Sequence, residues 1–412
     1  MRFIKLSSRK GIALLLTLVI LMLISIYLTE FTFETTLEVQ AMQSFESAFK
    51  ARGAAKSMFK AILVGLESEE EPKFFIGLRQ IYQLGGTGEV SVLNPPPPIA
   101  LPEGILPDFE DVTIYAPIVR PIDHLFDLNR IQSDSLTRRA KSKEDWLLCN
   151  QFYNAVSVIQ IPDTMHPVEG QEVVTKPLES IQILSIYAGI FDWMDKNSTE
   201  PYSPDFGAEN VDYIGIEPEI FVKNRHLDRL GEVRVIKGVA EAFPDRDFWY
   251  QSWKKNFTVY PVGIKGDLGA AERRINVNLA TSEEIQQFLV QFNDETPCTT
   301  DSETELDKVR LEYSNPDVAK SIAETLTAKD EQGQRKFNSS KDIYDALKLL
   351  ELEYYSKSKD FFIEYSNWYE IRLIAEVLGI QAEVLAIVEI QGRDKNGKAK
   401  PGSTRIADFI LR

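Results

Sequence analysis

The N-terminal segment leaves this chain little choice of overall shape. Arg2, Lys5, Arg9 and Lys10 form a short basic stretch, Gly11 follows, and an apolar run extends from Ile12 to Leu28, broken only by Thr17 and Ser25. At about 1.5 Å per residue the run spans roughly 25 Å, close to the hydrocarbon thickness of a bilayer. The basic flank predicts a cytoplasmic start, with the remainder carried across the membrane. No proline interrupts the chain before Leu66, and Leu37, Ala41, Phe45, Ala48, Ala55, Met58 and Ile62 recur at three- or four-residue spacing. The pattern predicts one continuous helix from Ile12 to Leu66, about 80 Å long, half in lipid and half packed on a globular head.

Three readings of this N-terminus compete. A cleaved secretory signal needs a small-x-small site after the apolar run, and Thr29-Glu30-Phe31-Thr32-Phe33 is not one. A plain signal anchor accommodates the run but is usually followed by a linker. A prepilin-type leader places the cut on the cytoplasmic side, between Gly11 and Ile12. The helix that continues beyond the membrane favours this third reading, because a rod half in lipid and half on a head is pilin architecture.

The rest of the composition narrows the function classes. The chain has 412 residues, of which 44% are apolar, enough for two or three compact units. Its formal charge of -16 repels phosphate backbones and argues against nucleic acid as a partner. The two cysteines, Cys149 and Cys298, form no CxxC, and the three histidines, His124, His166 and His226, form no HExxH. No GxSxG, P-loop or Rossmann glycine pattern occurs, so an enzyme is not expected. Trp146, Trp193, Trp249, Trp253 and Trp368 read as core and interface anchors.

Specific motifs follow the rod. They are His124-Leu125-Phe126-Asp127-Leu128-Asn129; Ile190-Phe191-Asp192-Trp193-Met194-Asp195 with Gly207-Ala208-Glu209-Asn210, Asp212-Tyr213 and Leu230-Gly231-Glu232-Val233; and Ile275-Asn276-Val277-Asn278-Leu279-Ala280. Their order and spacing, over nearly the whole chain, resemble those of general secretion pathway protein K, the K-type minor pseudopilin of type II secretion. Most pseudopilins carry glutamate at the fifth mature position, which here is Leu16; K-type subunits lack it, as this chain does. A carboxylate in lipid is costly unless it pairs with a neighbour, and a subunit with nothing stacked above it has no need of one.

The resemblance implies an α+β protein: a pilin fold, with its long N-terminal helix and antiparallel sheet, carrying a large inserted α-helical domain of two SAM-like units. The expected divisions are a leader at 1–11, the helix at 12–66 and a first pilin part at 67–122. The insert at 123–358 (units at about 123–240 and 270–355) and pilin strands at 359–412 complete the chain. Local patterns agree. Asp111 to Val119 reads as a strand, as do Phe361 to Tyr365, Trp368 to Val377, Val384 to Gln391 and Ile406 to Leu411, with a turn at Asp394-Lys395-Asn396-Gly397-Lys398. Helices are predicted over Ser135–Tyr153, Ser180–Asp195, Ser282–Phe292, Asn315–Ala328 and Ser340–Leu352, the last capped by Ser340. The resemblance implies that each unit begins near one asparagine-containing turn, at Asn129 and Asn276; the same turn resembles the entry to helix-hairpin-helix DNA modules, a reading the acidic charge disfavours.

The segment from Asp192 to Asp212 concentrates oxygen ligands. On pattern alone it is a solvated acidic loop; the resemblance implies calcium, with Asp195, Asn197, Glu209 and Asp212 as the ligands to test. Cys149 and Cys298 would lie in an oxidising compartment, where either one disulfide or two buried thiols would serve. The resemblance further implies prepilin peptidase cleavage between Gly11 and Ile12, methylation of Ile12, and residence in the bacterial inner membrane with the head in the periplasm. It implies I-type and J-type minor pseudopilins as partners, with the major pseudopilin and the inner-membrane assembly platform. The exposed insert would face the secretin or secreted substrates. The competing functions are a minor pilin of a type IV pilus and a membrane-anchored periplasmic enzyme or binding protein.

Overall fold

The computed structural model describes residues 8–84, 91–93, 95, 99–101, 111–131, 151–162, 175–195, 206–215, 219–243, 252–260, 273–291, 312–328, 337–353, 355, 361–394 and 397–412. The helices in chain order are α1 (Ser8–Ser68), α2 (Glu71–Leu84), α3 (Ser180–Met194), α4 (Lys237–Ala242), α5 (Ser282–Val290), α6 (Pro316–Thr327) and α7 (Ser340–Lys348), with a further helical stretch at 151–157. The strands are β1 (Thr113–Ile114), β2 (Ile118–Pro121), β3 (Phe126–Asp127), β4 (Gln160–Pro162), β5 (Thr175–Pro177), β6 (Phe257–Thr258), β7 (Ile275–Asn276), β8 (Phe362–Ile363), β9 (Trp368–Val377), β10 (Ile380–Ile390) and β11 (Thr404–Leu411).

α1 is the uninterrupted rod the sequence predicts, 61 residues and about 90 Å long. Every residue from Leu14 to Glu46 is exposed. Beyond that point Ser47, Ala51, Ala54, Ala55, Met58, Phe59 and Leu66 are buried, one stripe at three- and four-residue spacing. Its alanines let the helix lie close on β9 and β10. Pro72 punctuates the rod: it disfavours helix at the residue before it and is tolerated in the first turn of α2.

The main sheet is antiparallel and five-stranded. β9, β10 and β11 form a meander, and β1 and β2 pair with successive parts of β9. Asp111–Val119 is thus two short strands rather than one, parted at Ala116-Pro117, where proline cannot donate to the ladder. β9 alternates strictly, with Tyr369, Ile371, Leu373, Ala375 and Val377 buried against α1 and α2. Leu378 and Gly379 both have positive φ (49° and 81°), the conformation of a two-residue hairpin turn that suits strand twist.

Two further cores lie outside this layer. One gathers buried residues from Phe126 to Val259, past the 240 boundary expected for the first unit; the other gathers Ile275 to Phe362. Each is closed in the same way. β3 pairs in parallel with β6, and β7 with β8. So Phe361–Tyr365 does not extend the main sheet; its strand seals the second helical core. In the first unit Asp127 accepts from Asn129 N (3.0 Å), and the Asn129 amide bonds both backbone groups of Leu227 and the carbonyl of Val259. In the second Asn276 accepts from Asn278 N (3.0 Å), and the Asn278 amide bonds both backbone groups of Phe337 and the carbonyl of Glu364. The equivalent residues are therefore Asn129 and Asn278, not Asn129 and Asn276. The side chains tie three distant backbone segments of each unit together, which is work a buried amide does well. The α7 cap also sits one residue earlier than expected: Ser339, not Ser340, accepts from Asp342 N.

At the position where the second unit has Asn276, the first has Asp127, and burial pushes its carboxyl up to about 7 against the pull of the Asn129 N–H and Arg130. A carboxyl raised in the folded state contributes stability at low pH that is lost as pH rises from about 4 to about 7. Asp127→Asn keeps the acceptor and removes that loss. Urea unfolding should show the variant more stable than the parent by about 1–3 kcal/mol at pH 8, with the advantage gone below about pH 4.

Candidate functional site

α3 is apolar along almost its whole length, and Asp192 is its sole charged residue. That side chain is fully buried and accepts a hydrogen bond from Ala208 N at 2.7 Å. The bond draws the segment that follows α3 back across its C-terminal end, where Asp195 caps the helix by donating its N–H to Phe191 O (2.9 Å). Glu209, also buried, enters a 3-10 turn (Asn210–Tyr213), and the Asp212 carboxylate holds the Glu209 N–H at 2.9 Å. Asp192, Asp195 and Glu209 thereby converge, each offering one carboxylate oxygen within 4.8 Å of the others.

Like charges this close and this buried repel strongly unless a cation or protons neutralise them. An oxygen-only donor set of carboxylates suits a hard divalent ion such as calcium, which takes six to eight oxygens. The same field is felt nearby: burial pushes the Tyr213 hydroxyl up to about 12, and the negative charges of Asp192, Asp212 and Glu209 add to the shift. The residues present fit a calcium-class ion.

Of the four ligands expected from the sequence, the structure brings Asp195 and Glu209 together. Asp212 lies beside them but is engaged otherwise, holding Glu209 N through one oxygen and Lys237 Nζ (3.1 Å) through the other. Asn197 lies outside the described residues, as do Cys149, Cys298, Trp146 and Trp249. Gly11 and Ile12 lie in the first turns of α1. The member of the cluster that sequence reasoning did not single out is Asp192. Its signal was present: a single charge in an apolar helix, three residues before Asp195, must be compensated where it is buried.

A second functional surface is the free part of α1. Leu14 to Leu28 is apolar and exposed, and Phe31, Phe33, Met42, Phe45 and Phe49 carry exposed apolar area well past it. Contiguous apolar surface on this scale marks a lipid or protein contact.

No protein-family model and no curated protein matches the sequence. Among solved structures, the chain is similar to one from the crystal structure of the GspK-GspI-GspJ complex of the enterotoxigenic Escherichia coli type 2 secretion system. That match covers 91% of this chain and 99% of the other, with a TM-score of 0.50 and 13% sequence identity. The chain has a GspK-like fold. The long helix and antiparallel sheet are the pilin part, and the two helical cores are its insertion.

The carboxylate cluster makes a direct prediction. In calorimetric or fluorescence-monitored melting, the parent chain should gain stability with added calcium, about 2.7 kcal/mol at a hundredfold excess over Kd. Trp193, adjacent to Asp192 and in ring contact with Tyr213 at 5.9 Å, should report the binding. Chelator should reverse the gain, and Glu209→Gln should abolish it.

Proposed function

We propose that this chain is a K-type minor pseudopilin that caps the tip of a type II secretion pseudopilus and helps to initiate its assembly. The observation that carries the reading is a GspK-like fold spanning 91% of the chain, joined to a rod that is exposed from Leu14 to Glu46. In this reading Leu14 to Leu28 sits in the inner membrane and the head lies in the periplasm. Prepilin peptidase cuts between Gly11 and Ile12, and the new Ile12 amine is methylated. The exposed flank of α1 packs beside the helices of I-type and J-type subunits, burying surface that water disfavours. The chain with which this one shares its fold comes from a complex named for GspK, GspI and GspJ, which supports that choice of partners.

The insert supplies the capping role. It grows from the sheet end of the rod, between β2 and β9, and its bulk would block a further subunit from stacking above. With Leu16 in place of glutamate, the helix has no carboxylate to offer such a subunit. The two units are read as SAM-like. Asp192, Asp195 and Glu209 would hold calcium, whose positive charge would compensate their carboxylates and clamp α3 to the 3-10 turn. The major pseudopilin and the assembly platform meet the membrane end of the rod, and the insert faces the secretin or cargo.

In cells with a prepilin peptidase, N-terminal sequencing should find Ile12 first, and Gly11→Ala should retain the leader and lose pseudopilus assembly. A native chain that keeps Met1 would sink the reading.

A further inference from the structure

We propose that the outer edge of β11 accepts an extended strand from a neighbouring pseudopilin, laid antiparallel or parallel beside it in continuation of the contact along α1. This rests on the assembly reading above and adds to it a backbone-mediated site on the sheet.

The ladder fixes which groups are free. Glu383 and Arg412 exchange both backbone hydrogen bonds, at 2.8 and 3.0 Å. In an antiparallel pair such exchange recurs at every second residue, so Ile410 and Asp408 face β10, while Phe409 and Leu411 turn outward; the Phe409 N–H is taken by the Asp408 carboxylate at 2.9 Å, so Phe409 offers its C=O and Leu411 both groups. A bulge opposite Ile387/Val388 shifts the register by one, and Ile406 and Thr404 then face outward. β11 ends the sheet and pairs with β10 alone among the described strands. It is eight residues long and contains no proline, and Ile406 and Phe409 leave 46% and 39% of their surface exposed. An edge of this kind recruits another strand unless it is blunted.

Two features argue for use rather than accident. The first is bracing. Asp408 would ordinarily repel an incoming strand, but it is compensated from the opposite face by Tyr260 Oη (3.1 Å) and Arg229 Nε (3.5 Å), both from the first helical unit. The second is continuity. Phe409 packs on Phe59 of α1, ring centroids 5.1 Å apart. At 100° per residue, Phe45 and Phe49 lie about 40° and 80° round the helix from Phe59, away from buried Ala51 and Ala55. The apolar flank of the rod therefore turns toward the β11 side. A partner helix seated on Phe45 and Phe49 brings its own head alongside this edge. Backbone bonds would supply affinity and the apolar shelf of Ile406 and Phe409 selectivity, which is the chemistry of strand addition.

The test uses the full chain in lipid nanodiscs, alone and co-assembled with I-type and J-type subunits from the same organism. Hydrogen exchange should slow at least tenfold at the Ile406 and Leu411 amides in the assembly. Ile406→Pro removes an outward N–H and should weaken partner binding at least tenfold while leaving the chain's own melting unchanged. Arg405→Pro, which removes an inward N–H, should instead lower its melting temperature. If the assembly forms with exchange at β11 unchanged, or if Ile406→Pro binds as the parent does, the edge proposal falls and the pseudopilin reading stands. If the parent chain does not assemble with these subunits at all, both fall.

Discussion

One buried carboxylate joins the three parts of the molecule. Glu71, at the start of α2, is 1% exposed and accepts from the Tyr369 hydroxyl of β9, from Ser366 N (3.0 Å) and from Asn276 Nδ2 (3.1 Å). The Arg393 guanidinium stands 4.0 Å away and donates to the Tyr369 oxygen at 2.5 Å. Those partners belong to the sheet, to the approach from the insert into β9, to the opening strand of the second helical unit, and to the loop between β10 and β11. A charge this deep persists only where every lone pair is met. Removing one member of such a network strands the others, a loss of about 3–5 kcal/mol in comparable buried pairs. The rod, the sheet and the insert thus have a common fixed point, and it lies just past the end of α1 at Ser68.

The insert is also held against the second face of the sheet. Tyr260 stacks on Trp368 at 6.2 Å, Arg405 lies over the same indole at 5.9 Å, and Arg120 bridges Glu370 (2.8 Å) and Lys254 O (2.7 Å). Elsewhere on that face Glu383 takes Arg372 and Arg412, so its polar residues are satisfied in pairs. α1 occupies one face of the sheet and this charged lattice the other. The outer strand is where the two surfaces meet.

Much of this was legible in the sequence because it rests on local periodicity. An unbroken apolar pattern without proline specifies the rod, strict alternation specifies β9 and β10, and Asn315-Pro316 marks the start of α6, where the Asn315 side chain caps the helix. What escaped depends on contacts between distant residues. The two-residue strands β3, β6, β7 and β8 are too short to have a period, and only the bonds of Asn129 and Asn278 reveal that they close two similar units. α2 was overlooked because its pattern is short and follows directly on a much longer helix. At the acidic cluster, a run of carboxylates identified the region but could not say which would be drawn inward. Asp192 joins the cluster because α3 is buried, and Asp212 is diverted because Lys237 lies 3.1 Å away. Neither fact is encoded within a few residues of the site.

The exposed half of α1 has a kinetic consequence. A greasy cylinder about 50 Å long, fully uncovered from Leu14 to Glu46, cannot diffuse through water as a monomer. Under the assembly reading, its encounters with sister chains are confined to the plane of a lipid sheet. With depth and tilt already set by the bilayer, meeting a partner requires only lateral drift and rotation about one axis. Much of the orientational search that slows association in solution is thus completed at insertion, before any two heads touch.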